Sequence, residues 1–357
     1  MFIRRACRGF LARTQPIPCV SKARKITTSW ISSKKFNYPL TPDDVPRTAG
    51  LPTMFRLPSQ STAEGLDACF LGVPLDTGTY AHRTGARMGP RQIRCESCLI
   101  RPHNTHTGAA PYESLMVADV GDVSTNVLNL EANIEIIQKH VASIVNTGCK
   151  PLIVGGDHTI TYPILKAIKD KYGPVGMLHL DAHPDTSETT FGERISNATP
   201  FRRAVEEGLL DCKRVVQIGL RGTGNSPVDY EFGRSHGFKI VPAKYCWYKS
   251  MEPLMAQVRE LMGDAPVFIS FDIDVIDPGY APGTGTHEIG GLTVIQVLEI
   301  IRGSKGMNII GGDLVEVNPS VDLHGATSIL AANFLYEMMC VLPGVIYKDA
   351  PSSDFQF

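Results

Sequence analysis

Apolar residues recur along this chain in two rhythms. Short runs lie at 68–74, 115–120, 151–155, 175–180, 214–219, 238–241, 266–271 and 308–311, and each reads as a buried strand. Between them the spacing lengthens to that of a helix. Ile134, Ile137, Val141, Ile144 and Val145 mark one over 129–145, and others are predicted over 161–171, 199–207, 249–262, 293–302 and 325–341. Strand and helix alternate to the end. That order predicts an α/β fold: a single three-layer α/β/α domain with a mostly parallel central sheet. Gly78, Gly85 and Gly89-Pro90 follow the first strand as a turn rather than a phosphate loop, since neither Lys-Thr nor GxGxxG accompanies them.

Three of these strands end on chemistry. After 175–180 comes Asp181-Ala182-His183-Pro184-Asp185, after 266–271 comes Asp272-Ile273-Asp274, and after 151–155 and Gly156 come Asp157 and His158. In an extended chain, positions i, i+2 and i+4 point the same way, so these stretches aim carboxylates and imidazoles beyond the C-terminal edge of the sheet. Acids gathered there repel one another unless cations lie between them. The candidate metal ligands are therefore His158, Asp181, His183, Asp185, Asp272 and Asp274. Their four negative charges balance two divalent ions, and oxygen-rich ligation with some nitrogen favours Mn2+ over Zn2+. Such a pair, roughly 3.5–4 Å apart, acidifies a shared water, which suits hydrolysis at an sp2 carbon.

Charge narrows the picture further. The formal net charge is -1, but Arg4, Arg5, Arg8, Arg13, Lys22, Arg24, Lys25, Lys34 and Lys35 all precede the first acid, Asp43. Without those nine bases the rest of the chain holds 26 bases against 36 acids, a poor surface for nucleic acid. Residues 1–42 read as a disordered mitochondrial presequence and linker, which places the protein in the matrix, and 43–357 as one domain. No run reaches the roughly 18 apolar residues of a membrane span. The nine cysteines are odd in number and irregular in spacing, so free thiols in a reducing compartment are expected, and the lone Cys95-Glu96-Ser97-Cys98 is not read as a zinc site.

These motifs resemble the ureohydrolase family, the arginases and agmatinases, over nearly everything after residue 65. The resemblance rests on Gly155-Gly156-Asp157-His158, Asp181–Asp185, Ser270–Asp274, Asp277-Pro278, Ala281–Thr286 and Val315–Pro319. The Ala-Pro-Gly-Thr-Gly-Thr stretch is similar to agmatinases, and among them to vertebrate mitochondrial agmatinase-like proteins, some of which act on short guanidino acids. It implies a dinuclear manganese centre on the six ligands, with Asp185 also hydrogen-bonding a metal-bridging hydroxide. It implies attack of that hydroxide on the guanidinium carbon of agmatine or a guanidino acid such as guanidinobutanoate, giving urea and a primary amine. It implies that Glu316 pairs with the guanidinium, and that the protein is a homo-oligomer, trimer or hexamer. The residues agree on Glu316: a carboxylate in an apolar context is costly unless paired, and a bidentate guanidinium is its natural partner.

The chain departs from the family at two places. Asn197-Ala198 stand where active relatives usually carry His-Gly, a histidine thought to move protons, and Asn197 remains only a substrate-binding candidate. Asparagine is no general acid, and that step typically contributes about 10²–10⁴-fold. This raises the alternative of a catalytically weak or inactive metal-binding paralogue acting as a subunit or binding protein. His287 replaces the usual proline after Gly-Thr-Gly-Thr, and is the expected substitute proton carrier. Bland roles are expected for other polar residues: second shell or core for His179, orientation of the turn for Asp157, a turn for Asp277-Pro278, and surface for His103 and His106. His82 and Arg83 are candidates for the cavity entrance.

Overall fold

The computed structural model describes residues 36–80, 83–224 and 230–348. Its strands are β1 (Ala68–Val73), β2 (Val117–Asp122), β3 (Lys150–Gly155), β4 (Val175–Leu180), β5 (Leu210–Ile218), β6 (Lys239–Val241), β7 (Val267–Asp272) and β8 (Ile309–Val315). They form one sheet in the order β2-β1-β3-β8-β7-β4-β5-β6, with every pairing parallel. The helices are α1 (Gly89–Ser97), α2 (Leu130–Val145), α3 (Thr161–Tyr172), α4 (Pro200–Glu206), α5 (Glu231–His236), α6 (Glu252–Met262), α7 (Val294–Gly303) and α8 (Ala326–Cys340).

The strand pleat sorts apolar side chains into two cores. On β1, Phe70 joins one core, shared with Ile93 of α1, Met255 of α6, Ile300 of α7 and Phe334 of α8. Cys69, Leu71 and Val73 join the other, with Ile137 of α2, Ile164 of α3 and Phe201 of α4. This is the three-layer arrangement expected, and burial on both faces explains why the strands read as unbroken apolar runs.

The order of the strands builds the site. The chain leaves β3 and starts β4 three places away, and the last two strands, β7 and β8, later fill the gap. So β3, β8, β7 and β4 become neighbours, and their C-terminal ends bring together residues more than a hundred positions apart in sequence.

Two elements were not legible in the pattern. Gly89-Pro90 opens α1 rather than closing a turn; Pro90 sits in the helix's first turn, where a missing N–H costs nothing. The six-residue α5 is also unexpected. β8 runs on to Val315 because Gly311-Gly312 continue the strand instead of ending it; a Cβ on Gly312 would lie 2.6 Å from Met338 Cε and 2.8 Å from Ile269 O.

Residues 1–35, on which most of the presequence expectation rests, lie outside the described residues, as do His82 and 225–229. Packing begins ahead of Asp43: Asn37 Nδ2 donates to Val117 O at 3.0 Å, and the Tyr38 ring meets Tyr112 edge-on. Among the described residues no helix is long and apolar enough to cross a membrane. The described cysteines are free thiols.

Candidate metal centre

His158 opens a short turn directly after β3. The turn needs Gly156, because a Cβ there would sit 2.2 Å from Leu75 O and 2.6 Å from Val73 O. Asp157 caps the turn, accepting from Thr159 N at 3.1 Å, and it ties in the first glycine loop by accepting from Gly78 N at 3.0 Å.

The other ligand candidates converge by a route different from simple strand alternation. β4 stops at Leu180, so Asp181, His183 and Asp185 lie in a loop. Hydrogen bonds shape that loop: His183 N donates to Asp181 Oδ1 at 2.6 Å, and Ala182 N to Asp274 Oδ1 at 3.0 Å. Asp185 adopts φ 49°, a left-handed conformation costly for a non-glycine residue, and Glu316 does the same with φ 65°. At the end of β7, Asp272 Oδ1 accepts from Asp274 N at 2.8 Å and starts a 3-10 turn. Arg221 holds that turn from outside by donating to the carbonyls of Asp274 and Val275.

The result is two groups sharing one carboxylate. His158 Nδ1 lies 3.2 Å from Asp181 Oδ2, 2.9 Å from Asp185 Oδ2 and 3.3 Å from Asp272 Oδ2. His183 Nδ1 lies 2.9 Å from Asp274 Oδ2 and 3.5 Å from Asp181 Oδ1. Asp181 thus turns one oxygen to each histidine. All six residues are brought together, and all but His183 are buried.

Hydrogen bonding tests whether this set fits cations. Ser270 Oγ donates to Asp313 Oδ1 at 2.8 Å, so its lone pair accepts from His158 Nε2, 3.0 Å away. That places the ring proton on Nε2 and leaves the Nδ1 lone pair facing three carboxylates. Nδ1 is buried and aligned with none of them for a hydrogen bond. Acceptors converging on a point, with no donor among them, fit a cation. A proton is the other way to supply the charge. Both imidazoles are accordingly pushed well above the usual histidine range: burial opposes the charge, but Asp181, Asp185 and Asp272 around His158, and Asp274 and Asp181 around His183, outweigh it. Burial and neighbouring acids raise Asp272 and Asp185, whereas at Asp181 the surrounding histidines win over burial and hold the carboxyl well below its ordinary value.

His179 also touches Asp181, but its role is different. Nε2 lies 2.8 Å from Asp181 Oδ2, while Nδ1 accepts from Gln217 Nε2 at 2.9 Å. With both ring nitrogens engaged, His179 orients Asp181 rather than ligating.

His183, Asp185, Asp272 and Asp274 of these groups line a cavity of about 650 Å³. Glu316 lies at its floor, with Oε1 accepting from His158 N at 2.9 Å and from Asn197 Nδ2 at 3.1 Å. Burial, with Asp157 nearby, pushes the Glu316 carboxyl up to about 8. Asn197 Oδ1 is buried without a partner, so an acceptor and a carboxylate face the same space. Tyr80, Arg202, Glu188 and Glu288 also line the cavity. Arg202 stacks on Phe232, its guanidinium 4.1 Å from the ring centroid, and donates to Glu206.

His287 is placed apart from the ligands. Its Nε2 donates to Pro282 O at 2.6 Å, its Nδ1 accepts from Arg83 at 2.7 Å, and it is not among the residues lining the cavity. Asp277 forms a turn, accepting from Gly279, Gly290 and Gly291 N–H groups. Gln217, Ser270 and Asp313 went unremarked as support for the site, although each is a polar residue inside a predicted or observed apolar strand, which was the available signal.

Comparison with known proteins places this arrangement in context. The model of the arginase family matches residues 66–340. The chain is 58% identical over 313 residues to "Agmatinase, mitochondrial" of Gallus gallus, covering 88% of this chain and 92% of that one. It is 57% identical over 309 residues to "Guanidino acid hydrolase, mitochondrial" of Homo sapiens, covering 87% and 88% respectively. Among solved structures, the proclavaminate amidino hydrolase of Streptomyces clavuligerus superposes with a TM-score of 0.79 at 37% identity, over 83% of this chain and 99% of that one.

Proposed function

The chain belongs to the arginase family, and from that premise we propose that it hydrolyses a linear guanidino compound to urea and a primary amine. The observation that carries the reading is the pair of histidine–carboxylate groups sharing Asp181 beside a buried, partly unsatisfied Glu316–Asn197 floor.

His158, Asp181, Asp185 and Asp272 would hold one Mn2+, and His183, Asp181 and Asp274 would hold a second. When bound, a pair of divalent ions supplies an acidified water as the nucleophile. The protein's own groups do the rest. Glu316 meets the guanidinium, and charge pairing brings its carboxyl down from about 8 so that it is ionised in the complex. Asn197 Oδ1 accepts a guanidinium N–H, which satisfies its buried lone pairs. These two contacts orient the planar carbon toward the ligand cluster, an effect of position rather than of new chemistry. Asp185, whose left-handed backbone turns its carboxylate inward, accepts the hydrogen bond of the attacking water and relays its proton. His287 would deliver the proton to the leaving amine only if its Arg83 contact opened.

The relatives carry names for two substrate chemistries, a cationic and an anionic tail. The cavity lining holds Glu188 and Glu288 as well as Arg202, side chains of either charge to meet such a tail. A homo-oligomer and a mitochondrial matrix location complete the proposal; the vertebrate relatives' names and the basic, acid-free N-terminal segment support the location. An inactive paralogue is not favoured: the relatives carry the names of hydrolytic enzymes, and the contacts of His158 and His183 with the four carboxylates support a metal-binding reading. Urea release from agmatine, arginine and guanidinobutanoate after Mn2+ loading tests the reading. Urea from agmatine or guanidinobutanoate supports it; urea from none contradicts it.

A further inference from the structure

A row of buried polar side chains crosses four adjacent strands just beneath the ligands. Gln217 on β5 pairs in register with His179 on β4, His179 with Ser270 on β7, and Ser270 with Asp313 on β8. All four are fully buried in an otherwise apolar sheet face. A buried polar residue without a partner is costly, so such a row calls for an explanation.

Half of it is explained by His158. Ser270 and Asp313 fix the Nε2–H tautomer of that ring, and Thr161 Oγ1 completes Asp313 by donating to Oδ2 at 2.7 Å. The other half turns on Gln217. Its Nε2 makes two contacts, each at 2.9 Å: one to Pro184 O and one to His179 Nδ1. The Pro184 carbonyl accepts only, so the NH2 end of the amide must face it. The same NH2 therefore donates to His179 Nδ1, which puts the ring proton on Nε2, where it is donated to Asp181 Oδ2 at 2.8 Å. Phe201, with its ring centroid 4.3 Å from that of His179, holds the imidazole in place.

We propose that Gln217 is the positioning residue of the metal centre. Through His179 it sets the direction of the Asp181 carboxylate, and through Pro184 O it anchors the loop just before Asp185. One amide thereby aligns two ligands on β4's loop, including the one shared by both histidine groups. Ser270, in contrast, touches a single ligand candidate, His158. The inference rests on the cation-binding reading above and adds a division of labour: the Gln217 arm governs both ions, the Ser270 arm one.

The full chain, stripped of metal and titrated with Mn2+ alone by calorimetry, tests this. Wild type serves as the test of the underlying reading: failure to bind Mn2+ overturns that reading, independently of Gln217. Against a wild type that binds two ions, Gln217→Leu is expected to weaken both by roughly 10–100-fold, the usual effect of losing an outer hydrogen-bond partner. Ser270→Ala is expected to weaken one ion and spare the other. His179→Gln, which keeps a side-chain N–H able to reach Asp181, is expected to restore most of the affinity that His179→Ala loses. The melting temperature of each metal-free variant reports on folding, and His179→Gln and His179→Ala give a second comparison should Gln217→Leu fail to fold. Mn2+ binding by Gln217→Leu within twofold of wild type, or equal loss of both ions in Ser270→Ala and Gln217→Leu, overturns the proposal.

Discussion

Replacing Glu316 by glutamine separates charge from shape at the cavity floor. Glu316 Oε1 accepts from His158 N at 2.9 Å and from Asn197 Nδ2 at 3.1 Å, and a glutamine with its Oε1 in that place keeps both. What disappears is the negative charge available to a guanidinium. Removing one member of a buried charge pair costs about 3–5 kcal/mol, so kcat/KM is expected to fall by roughly two to four powers of ten at about 1.4 kcal/mol per power. The same substitution has a signature without substrate. The Glu316 carboxyl moves from 4.5 to about 8 on folding, chiefly through burial. The folded protein therefore holds this proton more tightly than the unfolded chain. Its contribution is fully present below about pH 4.5 and is lost as pH rises through about 8, an effect on the order of 3–5 kcal/mol. Glu316→Gln removes it, so metal-free wild type should lose melting temperature relative to the variant between pH 5 and pH 9. Urea-release kinetics and thermal melts in chelator check the two halves. A kcat/KM within tenfold of wild type, or a melting difference that does not change with pH, refutes the reasoning.

Three further outcomes follow from the same geometry. Asn197→His is expected to raise kcat at least tenfold on a guanidino substrate by supplying a proton carrier; an unchanged kcat in urea-release assays means proton transfer does not limit turnover. His287→Ala is expected to leave the pH–rate profile unchanged, because Arg83 and Pro282 O engage both ring nitrogens; loss of one limb of the profile would show that the ring transfers a proton after all. Mn2+ affinity is expected to rise steeply with pH, because His158 and His183 are pushed above the ordinary histidine range and must release protons on binding. Titrations at pH 6.5 and 8.5 with equal affinity would contradict that assignment.

Much of this was readable in the chain, for identifiable reasons. Strands buried on both faces leave unbroken apolar runs, so the sheet was visible, and acids placed directly after such runs marked the site's edge. The ligand set was legible as residue types. Its geometry was not: loop hydrogen bonds and the left-handed turn at Asp185 orient the carboxylates, and neither has a periodic signature. The neighbouring of β3, β8, β7 and β4 was hidden for a different reason, since only long-range pairing decides strand order. α1 was missed because Gly89-Pro90 signals a turn and a helix start equally well. Gln217 and Asp313 looked like ordinary interruptions of apolar runs until the register placed them in one row.

Metal content decides the matter most directly. Purified full-length protein, loaded with Mn2+ and desalted, should retain close to two ions per chain by elemental analysis, and Asp181→Asn should weaken both because that carboxylate faces each histidine. A wild-type chain that retains none would mean that these acids share protons rather than metal, and the account would fail.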